Sequence, residues 1–348
     1  MFKIADFKIG SKSEPFIIAE MSGNHNKSLS RALEIVESAA KAGAHALKLQ
    51  TYKPDTLTLD IKEGDFFISD KTSLWYGKSL YDLYNDAFTP WEWHEQIMEK
   101  AKQLGMLCFS SPFDETAVDF LEDLDVPAYK IASFENSHLP LIKKVISTRK
   151  PIIISAGLAS LSELNDTIEL LRKEGCENFA LLKCTSSYPA SPIDSNILSI
   201  PHMKNLFNCE IGLSDHTMGI GVAIGAIAHG ATIIEKHFTL SRKDGGVDSD
   251  FSLEPKELKS LVEESKRVWQ SLGIVKYGAT KTEENSIIFR RSLYIAEDIK
   301  KGDTLDKRNL RIVRPGKGLP PKYFNVLVGK KVKRDLKKGT PVNWEIVL

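Results

Sequence analysis

From Phe16 to about Leu272 the chain alternates short apolar runs with amphipathic segments, and this alternation limits its fold more than any other feature. The apolar runs are Phe16-Ile17-Ile18-Ala19, Ala46-Leu47-Lys48-Leu49, Met106-Leu107-Cys108-Phe109, Ala128-Tyr129-Lys130-Ile131, Ile152-Ile153-Ile154, Phe179-Ala180-Leu181-Leu182, Glu210-Ile211-Gly212-Leu213 and Ala231-Thr232-Ile233-Ile234. The intervening spacing predicts helices over 28–42, 90–104, 114–124, 139–147, 161–173, 219–229 and 255–272, with a less regular stretch running to Leu206. Thr89-Pro90 reads as a cap followed by a first-turn proline. Strand–helix alternation argues for a parallel sheet. Eight such units in this length argue for an α/β chain closed into a (β/α)8 TIM barrel. The alternative is an open doubly wound sheet, but no glycine fingerprint follows the first strand to support it.

Two stretches depart from a minimal barrel. Residues 51–87 form a long connection rich in Asp, Tyr, Phe and Trp, which reads as an ordered lid. After Gly273 the character changes. Residues 1–275 are expected to form the barrel, 276–285 a polar linker and 286–348 a small β-rich domain. That last domain carries a repeat, Glu297-Asp298-Ile299-Lys300-Lys301-Gly302 against Arg334-Asp335-Leu336-Lys337-Lys338-Gly339, each copy reading as a short strand and a glycine turn.

The net charge of +1 selects neither nucleic acid nor acidic membrane, so any anion site must be local. Cys108, Cys176, Cys184 and Cys209 show no framework spacing and read as reduced thiols of a cytoplasmic protein. No signal peptide and no membrane-spanning run is visible.

In a barrel of this kind the site lies at the C-terminal strand ends. Those ends carry Glu20, then Lys48 and Gln50, Ser111, Lys130 with Ser133 and Glu135, Ser155, Lys183 with Ser186 and Tyr188, Ser214 with His216, and Glu235 with His237. Asp248 follows the last strand. Charged groups inside apolar runs are costly unless paired or used. Converging lysines and hydroxyls suit a phosphate or carboxylate. Two histidines at the ends of adjacent strands suit one divalent metal with open positions. Glu20, Glu135 and Glu235 are candidate acids and bases, although Glu235 can also be read as paired with its neighbour Lys236.

At these motifs the sequence resembles the sialic acid synthase family. The matching stretches are Ala19-Glu20-Met21-Ser22-Gly23-Asn24-His25-Asn26, Leu47-Lys48-Leu49-Gln50, Phe109-Ser110-Ser111-Pro112-Phe113, Tyr129-Lys130-Ile131-Ala132-Ser133, Gly212-Leu213-Ser214-Asp215-His216-Thr217, Ile234-Glu235-Lys236-His237-Phe238-Thr239 and Arg314-Pro315-Gly316. The resemblance implies condensation of phosphoenolpyruvate with an amino sugar, and a C-terminal antifreeze-like (SAF) domain. It implies a homodimer in which that domain covers the partner's active site, with Arg314 reaching the substrate's N-acyl group. It implies His216 and His237 as ligands of a divalent metal (Mn2+, with Mg2+ or Co2+ as alternatives). Lys48, Lys130, Ser111, Ser133, Ser155, Ser186 and Ser214 match the phosphoenolpyruvate site. Glu20, Gln50, Tyr188, Glu135 and Asp248 match positions facing the sugar and the reacting carbons. The family tends to have Asn at Ser186 and Ile-Gly after Glu20. The Glu-Met-Ser-Gly-Asn-His-Asn wording resembles the pseudaminic acid branch, which uses a 2,4-diacetamido-2,4,6-trideoxy altrose and whose product decorates flagellin or surface glycans. N-acetylneuraminic and legionaminic acid synthesis are the alternatives within this chemistry. A different metal-dependent barrel aldolase is a more remote one.

Overall fold

The computed structural model describes residues 2–347. The chain divides into two compact units, Met1–Gly273 and Ile274–Leu348.

The first unit opens with a hairpin of β1 (Phe2–Ile4) and β2 (Phe7–Ile9). Eight parallel strands then close into a barrel: β3 (Phe16–Glu20), β4 (Ala46–Thr51), β5 (Leu107–Pro112), β6 (Tyr129–Ile131), β7 (Ile152–Ser155), β8 (Phe179–Cys184), β9 (Glu210–Asp215) and β10 (Ile233–His237). The ring runs in chain order and closes by pairing β10 with β3, with Ile234 opposite Ile17 and His237 opposite Glu20. The predicted barrel is therefore the observed one. Seven helices match the predicted spans closely, for example Leu161–Lys173 and Pro255–Leu272. Their starts follow from local chemistry. Ser28 caps Leu29–Ala42, Asp114 caps Glu115–Asp123, and Ser160 with Glu163 forms a capping box. The stretch read as irregular contains one more helix, Ser199–Phe207, which lacks a side-chain cap.

Side-chain alternation splits the apolar strand residues into two cores. Ile17, Leu47, Leu49, Tyr129, Ile154, Leu181, Leu213 and Ile234 point outward into the layer beneath the helices. Phe16, Ile18, Ala46, Phe109, Ala128, Ile153, Ala180, Leu182 and Ile233 point inward and fill the lower barrel. Phe2, Ile4 and Ile9 of the hairpin join this inner core, so the hairpin stoppers the N-terminal end. Above Ile18, Ala46, Ala128 and Ile233 the next inward positions are Glu20, Lys48, Lys130 and Glu235. The pleat thus carries the charged residues to the upper end of a tube that is apolar below.

The lid segment 51–87 contains helices at Pro54–Leu57 and Leu80–Ala87. In the second unit, β11 (Ser292–Ile295) pairs with β12 (Leu310–Val313) over a separate core. The repeat copies are not extended strands as expected. They meet at a single antiparallel bridge between Ile299 and Leu336. Around it Lys337 pairs with Asp298 and Lys300 with Asp335, at 2.8 and 3.0 Å, a local two-fold made by the duplicated sequence.

Gly212 leaves no room for a side chain. A Cβ there would lie 2.4 Å from the carbonyl oxygen of Ile233 and 2.6 Å from Leu182 Cδ2. Backbone cannot yield to it, so overpacking is unavoidable. Gly212→Ala is expected to cost about 1–3 kcal/mol of unfolding free energy. Urea denaturation measures this, and an unchanged midpoint would contradict the packing described.

Candidate active site

The upper barrel holds a continuous network of acids, lysines and hydroxyls. Lys48 Nζ lies 2.6 Å from Glu20 Oε2 and 3.7 Å from Glu235 Oε1, and it donates to Ser111 Oγ at 3.2 Å. Lys130 Nζ lies 3.9 Å from Glu235 Oε2 and donates to Ser155 Oγ at 2.6 Å. Gln50 donates to Glu20, and the Ser214 hydroxyl to Glu235. All four charged residues are buried. Glu235 therefore sits between two lysines across the barrel. It does not pair with Lys236, whose ammonium points the other way, to Asp215 at 3.1 Å and to the Thr217 carbonyl. The reading of Glu235 as a neighbour-paired residue is corrected by the period of two: adjacent strand residues face opposite sides.

Burial raises each acid here, and neighbouring charges decide the outcome. For Glu235, Lys130 and Lys48 outweigh burial and hold the carboxyl below its usual range. For Glu20 burial wins over Lys48, and with the adjacent charge of Glu235 it pushes the carboxyl up to about 7. Burial likewise lowers Lys130, whereas on Lys48 the two glutamates prevail and raise it. Glu135, on the loop after β6, is pushed up to about 7 by burial against the pull of Lys130 and Lys48. One of its carboxylate oxygens is buried with no partner.

Beside this network Ser186 donates to Ser133 at 2.8 Å. Gly157 closes that corner with φ +46°, and a Cβ there would meet Ser133 at 2.4 Å. The imidazoles of His216 and His237 lie with ring centroids 5.3 Å apart, enclosed by Tyr188 and Phe251. Trp75 of the lid touches Tyr188 and donates its indole N–H to the Val247 carbonyl, so the long connection does reach the mouth. Asp248 Oδ2 lies 3.6 Å from His237 Nδ1 and accepts from Ser22. Arg314 belongs to the second unit, where it is exposed just after β12.

The site residues suit a divalent cation. His216 Nδ1 is engaged with the Thr185 carbonyl at 2.9 Å, which orients the ring and leaves Nε2 as the lone-pair nitrogen. His237 is held far below its ordinary range by burial and by the positive charges of His216, Lys48, Lys236 and Lys130, and its buried Nδ1 has no hydrogen-bond partner. His237, neutral and with an uncommitted nitrogen, is a metal ligand by chemistry. At His216 burial is outweighed by Cys184, the Thr185 carbonyl and Glu235, which raise the ring above its ordinary range, so it ligates on giving up its proton. Among the described residues no group of three or more His, Cys, Asp or Glu gathers as a ligand set. A cation here would thus draw its remaining ligands from substrate and water.

Residue reasoning missed Ser22, Trp75 and Phe251. Ser22 stands inside a quoted motif, and the aromatics of 51–87 were the signal for Trp75. Phe251 had none, since a lone aromatic in a loop reads as packing.

A parallel (β/α)8 barrel with this mouth, followed by a small β domain, defines the class. The sequence profile of the NeuB family matches residues 35–277 and that of the SAF domain residues 290–347. The chain belongs to the NeuB family. It is 44% identical over 324 residues to the pseudaminic acid synthase of Campylobacter jejuni, covering 93% of this chain and 94% of that protein. It is 42% identical to the pseudaminic acid synthase of Helicobacter pylori, covering 94% and 96%. The N-acetylneuraminic acid synthetase of Leptospira borgpetersenii, crystallised with citrate, superposes with a TM-score of 0.74 at 33% identity, covering 82% of this chain and 94% of that one.

The raised carboxyl of Glu135 has a consequence for stability. The unfolded carboxyl ionises near 4.5 and the folded one near 7, so between those values the folded chain holds a proton the unfolded chain has lost. Stability from this group is therefore lost as pH rises through that window. Glu135→Gln is expected to raise the melting temperature at pH 8 and to lose that advantage toward pH 4.5. A difference independent of pH, measured by scanning calorimetry, would exclude the buried carboxyl as its source. For Glu235→Leu, two buried lysines lose their shared counter-charge, and a loss of about 3–5 kcal/mol is expected in the same experiment near neutral pH.

Proposed function

We propose that the protein is a pseudaminic acid synthase. It joins phosphoenolpyruvate to 2,4-diacetamido-2,4,6-trideoxy-β-L-altropyranose and water, giving pseudaminic acid and phosphate. The observation that carries this reading is 44% identity to a pseudaminic acid synthase across nearly the full length of both chains, barrel and C-terminal domain together. Identities of 34–35% to legionaminic acid synthases and 33% to a neuraminic acid enzyme make those two sugars the joint second choice.

In this reading Lys48 and Lys130 bind the phosphate and carboxylate of phosphoenolpyruvate, with Ser111, Ser133, Ser155, Ser186 and Ser214 as hydroxyl partners. Incoming anionic groups compete with Glu20 and Glu235 for the lysines, and a proton on Glu20 frees Lys48 to meet them. Gln50, Tyr188 and Asp248 face the sugar. Glu135, with one uncommitted carboxylate oxygen, orients the water that adds at C2 and takes its proton. A pKa near 7 makes it a competent base at neutral pH. His216 and His237 hold a divalent cation, Mn2+ in our reading, which when bound supplies Lewis-acid polarisation to the sugar carbonyl. The C3 carbon of phosphoenolpyruvate attacks the aldehyde carbon of the ring-opened sugar, whose oxygen takes up a proton to become a hydroxyl. Water adds at C2 and loses its proton to Glu135, and the tetrahedral C2 collapses to the ketone with loss of phosphate.

We further propose a homodimer in which the C-terminal domain of one subunit covers the other's mouth and presents Arg314 to the N-acyl group. Residues 286–348 carry sixteen Lys and Arg against six Asp and Glu in a chain whose net charge is only +1, so the rest of the chain is correspondingly acidic. Opposite charge on the two parts favours their association. We place the reaction in the cytoplasm, consistent with four free cysteines, and assign the product to flagellin or surface glycan modification. Among the described residues no helix is long and apolar enough to cross a membrane.

Phosphate release from phosphoenolpyruvate with Mn2+ tests the reading with three acceptors in parallel. Release is expected with the diacetamido-trideoxy altrose, and not with N-acetylmannosamine or the mannose-type diacetamido sugar. Release with another sugar alone would reassign the substrate, and none with any would reject the condensation. His216→Ala and His237→Ala are each expected to lower the rate at least a hundredfold and to weaken Mn2+ binding, read separately by calorimetry.

A further inference from the structure

Ser22 combines three properties. It is buried in the mouth, its φ is +47°, and its hydroxyl donates to Asp248 Oδ2. A non-glycine residue in the left-handed region is strained, and glycine is the default there. Strain of this kind persists where the surroundings require it. The backbone alone does not require a serine.

The turn Ser22–His25 and the loop 245–252 are already stitched together without the hydroxyl. Asn24 Nδ2 donates to the Phe238 carbonyl and to Ser252 Oγ, at 3.0 and 2.9 Å. Ser252 Oγ donates to the Asp248 carbonyl at 2.6 Å, and Asn26 Nδ2 to the Gly245 carbonyl at 3.1 Å. Gly246 packs so closely that a Cβ would lie 2.7 Å from Asn26 Oδ1. What the Ser22 hydroxyl adds is a donor to the Asp248 carboxylate. It holds one oxygen of that carboxylate, the one 3.6 Å from His237 Nδ1. Among the described residues no other donor reaches Asp248, so its second oxygen is left for a ligand.

We propose that Ser22 is a positioning residue that fixes the Asp248 carboxylate so that its second oxygen accepts a hydroxyl or amide proton of the sugar. This rests on the assignment of Asp248 to the sugar half of the site. The strain at residue 22 is then retained for the hydroxyl that glycine would lack.

The test uses Ser22→Gly, which keeps the backbone conformation and deletes only the side chain, beside Ser22→Ala, which deletes the hydroxyl and keeps the strain. Steady-state phosphate release gives KM for each substrate. Both variants are expected to raise KM for the sugar about tenfold, the value of one charge-assisted contact, while KM for phosphoenolpyruvate stays within about twofold. A fully active Ser22→Gly enzyme, or equal shifts in both KM values, would overturn the proposal. The contact itself is read without any substrate by a double-mutant cycle of thermal unfolding with Asp248→Ala. Ser22→Gly is expected to lower the melting temperature in the native background and to leave it unchanged or raised in the Asp248→Ala background, where only strain relief remains. Identical shifts in both backgrounds would reject the Ser22–Asp248 contact. A native enzyme that released no phosphate with any sugar would overturn the proposed reaction, and the unfolding cycle would still decide the contact.

Discussion

A carboxylate held between two ammonium groups inside a sealed barrel is the constraint on which the rest of the site depends. Glu235 lies between Lys48 and Lys130, and Glu20 lies against Lys48. Isolated buried charges of this kind would be prohibitive, and even paired ones contribute little net stability. The barrel tolerates them because the strands place them in one layer, where each offsets another. The layer below is apolar, so the cost is confined to the upper end of the barrel. Lysines already fixed in this way need little reorganisation to meet the anionic groups of the proposed substrate.

The same lysines act on the neighbouring half of the mouth. Their positive charges, with burial, keep His237 neutral. An imidazole that cannot take a proton keeps its lone pairs available near neutral pH. The lysine and imidazole halves of the mouth are thus linked electrically as well as spatially. Tyr188 and Phe251 close the imidazole side with aromatic rings, and Trp75 extends that wall with a residue from the lid.

Much of this was legible in the sequence, for identifiable reasons. Apolar runs separated by amphipathic segments gave the barrel, and the helix spans 161–173 and 255–272 read from that spacing coincide with the observed ones. That His216 and His237 lie side by side was readable because they stand at the ends of adjacent strands. For Glu235 only the pairing alternative fails, because its neighbour in sequence, Lys236, faces the opposite side of the strand. The helix Ser199–Phe207 was missed because it begins at Leu198, with no capping side chain. The hairpin Phe2–Ile9 repeats Phe-Lys-Ile around Ala5-Asp6, but its turn lacks the Asn or Gly that usually marks one, and Ala5 takes φ +47° instead. Ser22 was invisible as a contact because its partner is Asp248, far along the chain, and only tertiary structure joins them.

That hairpin does more than complete a core. By plugging the lower barrel with Phe2, Ile4 and Ile9, it turns the tube into a blind well. Water, ions and small molecules reach the charged layer through one opening. Whatever occupies the floor of such a well has to arrive before, and depart after, whatever rests at its rim. The order of entry and exit is therefore written into the architecture by a strand pair at the opposite end of the barrel from the mouth.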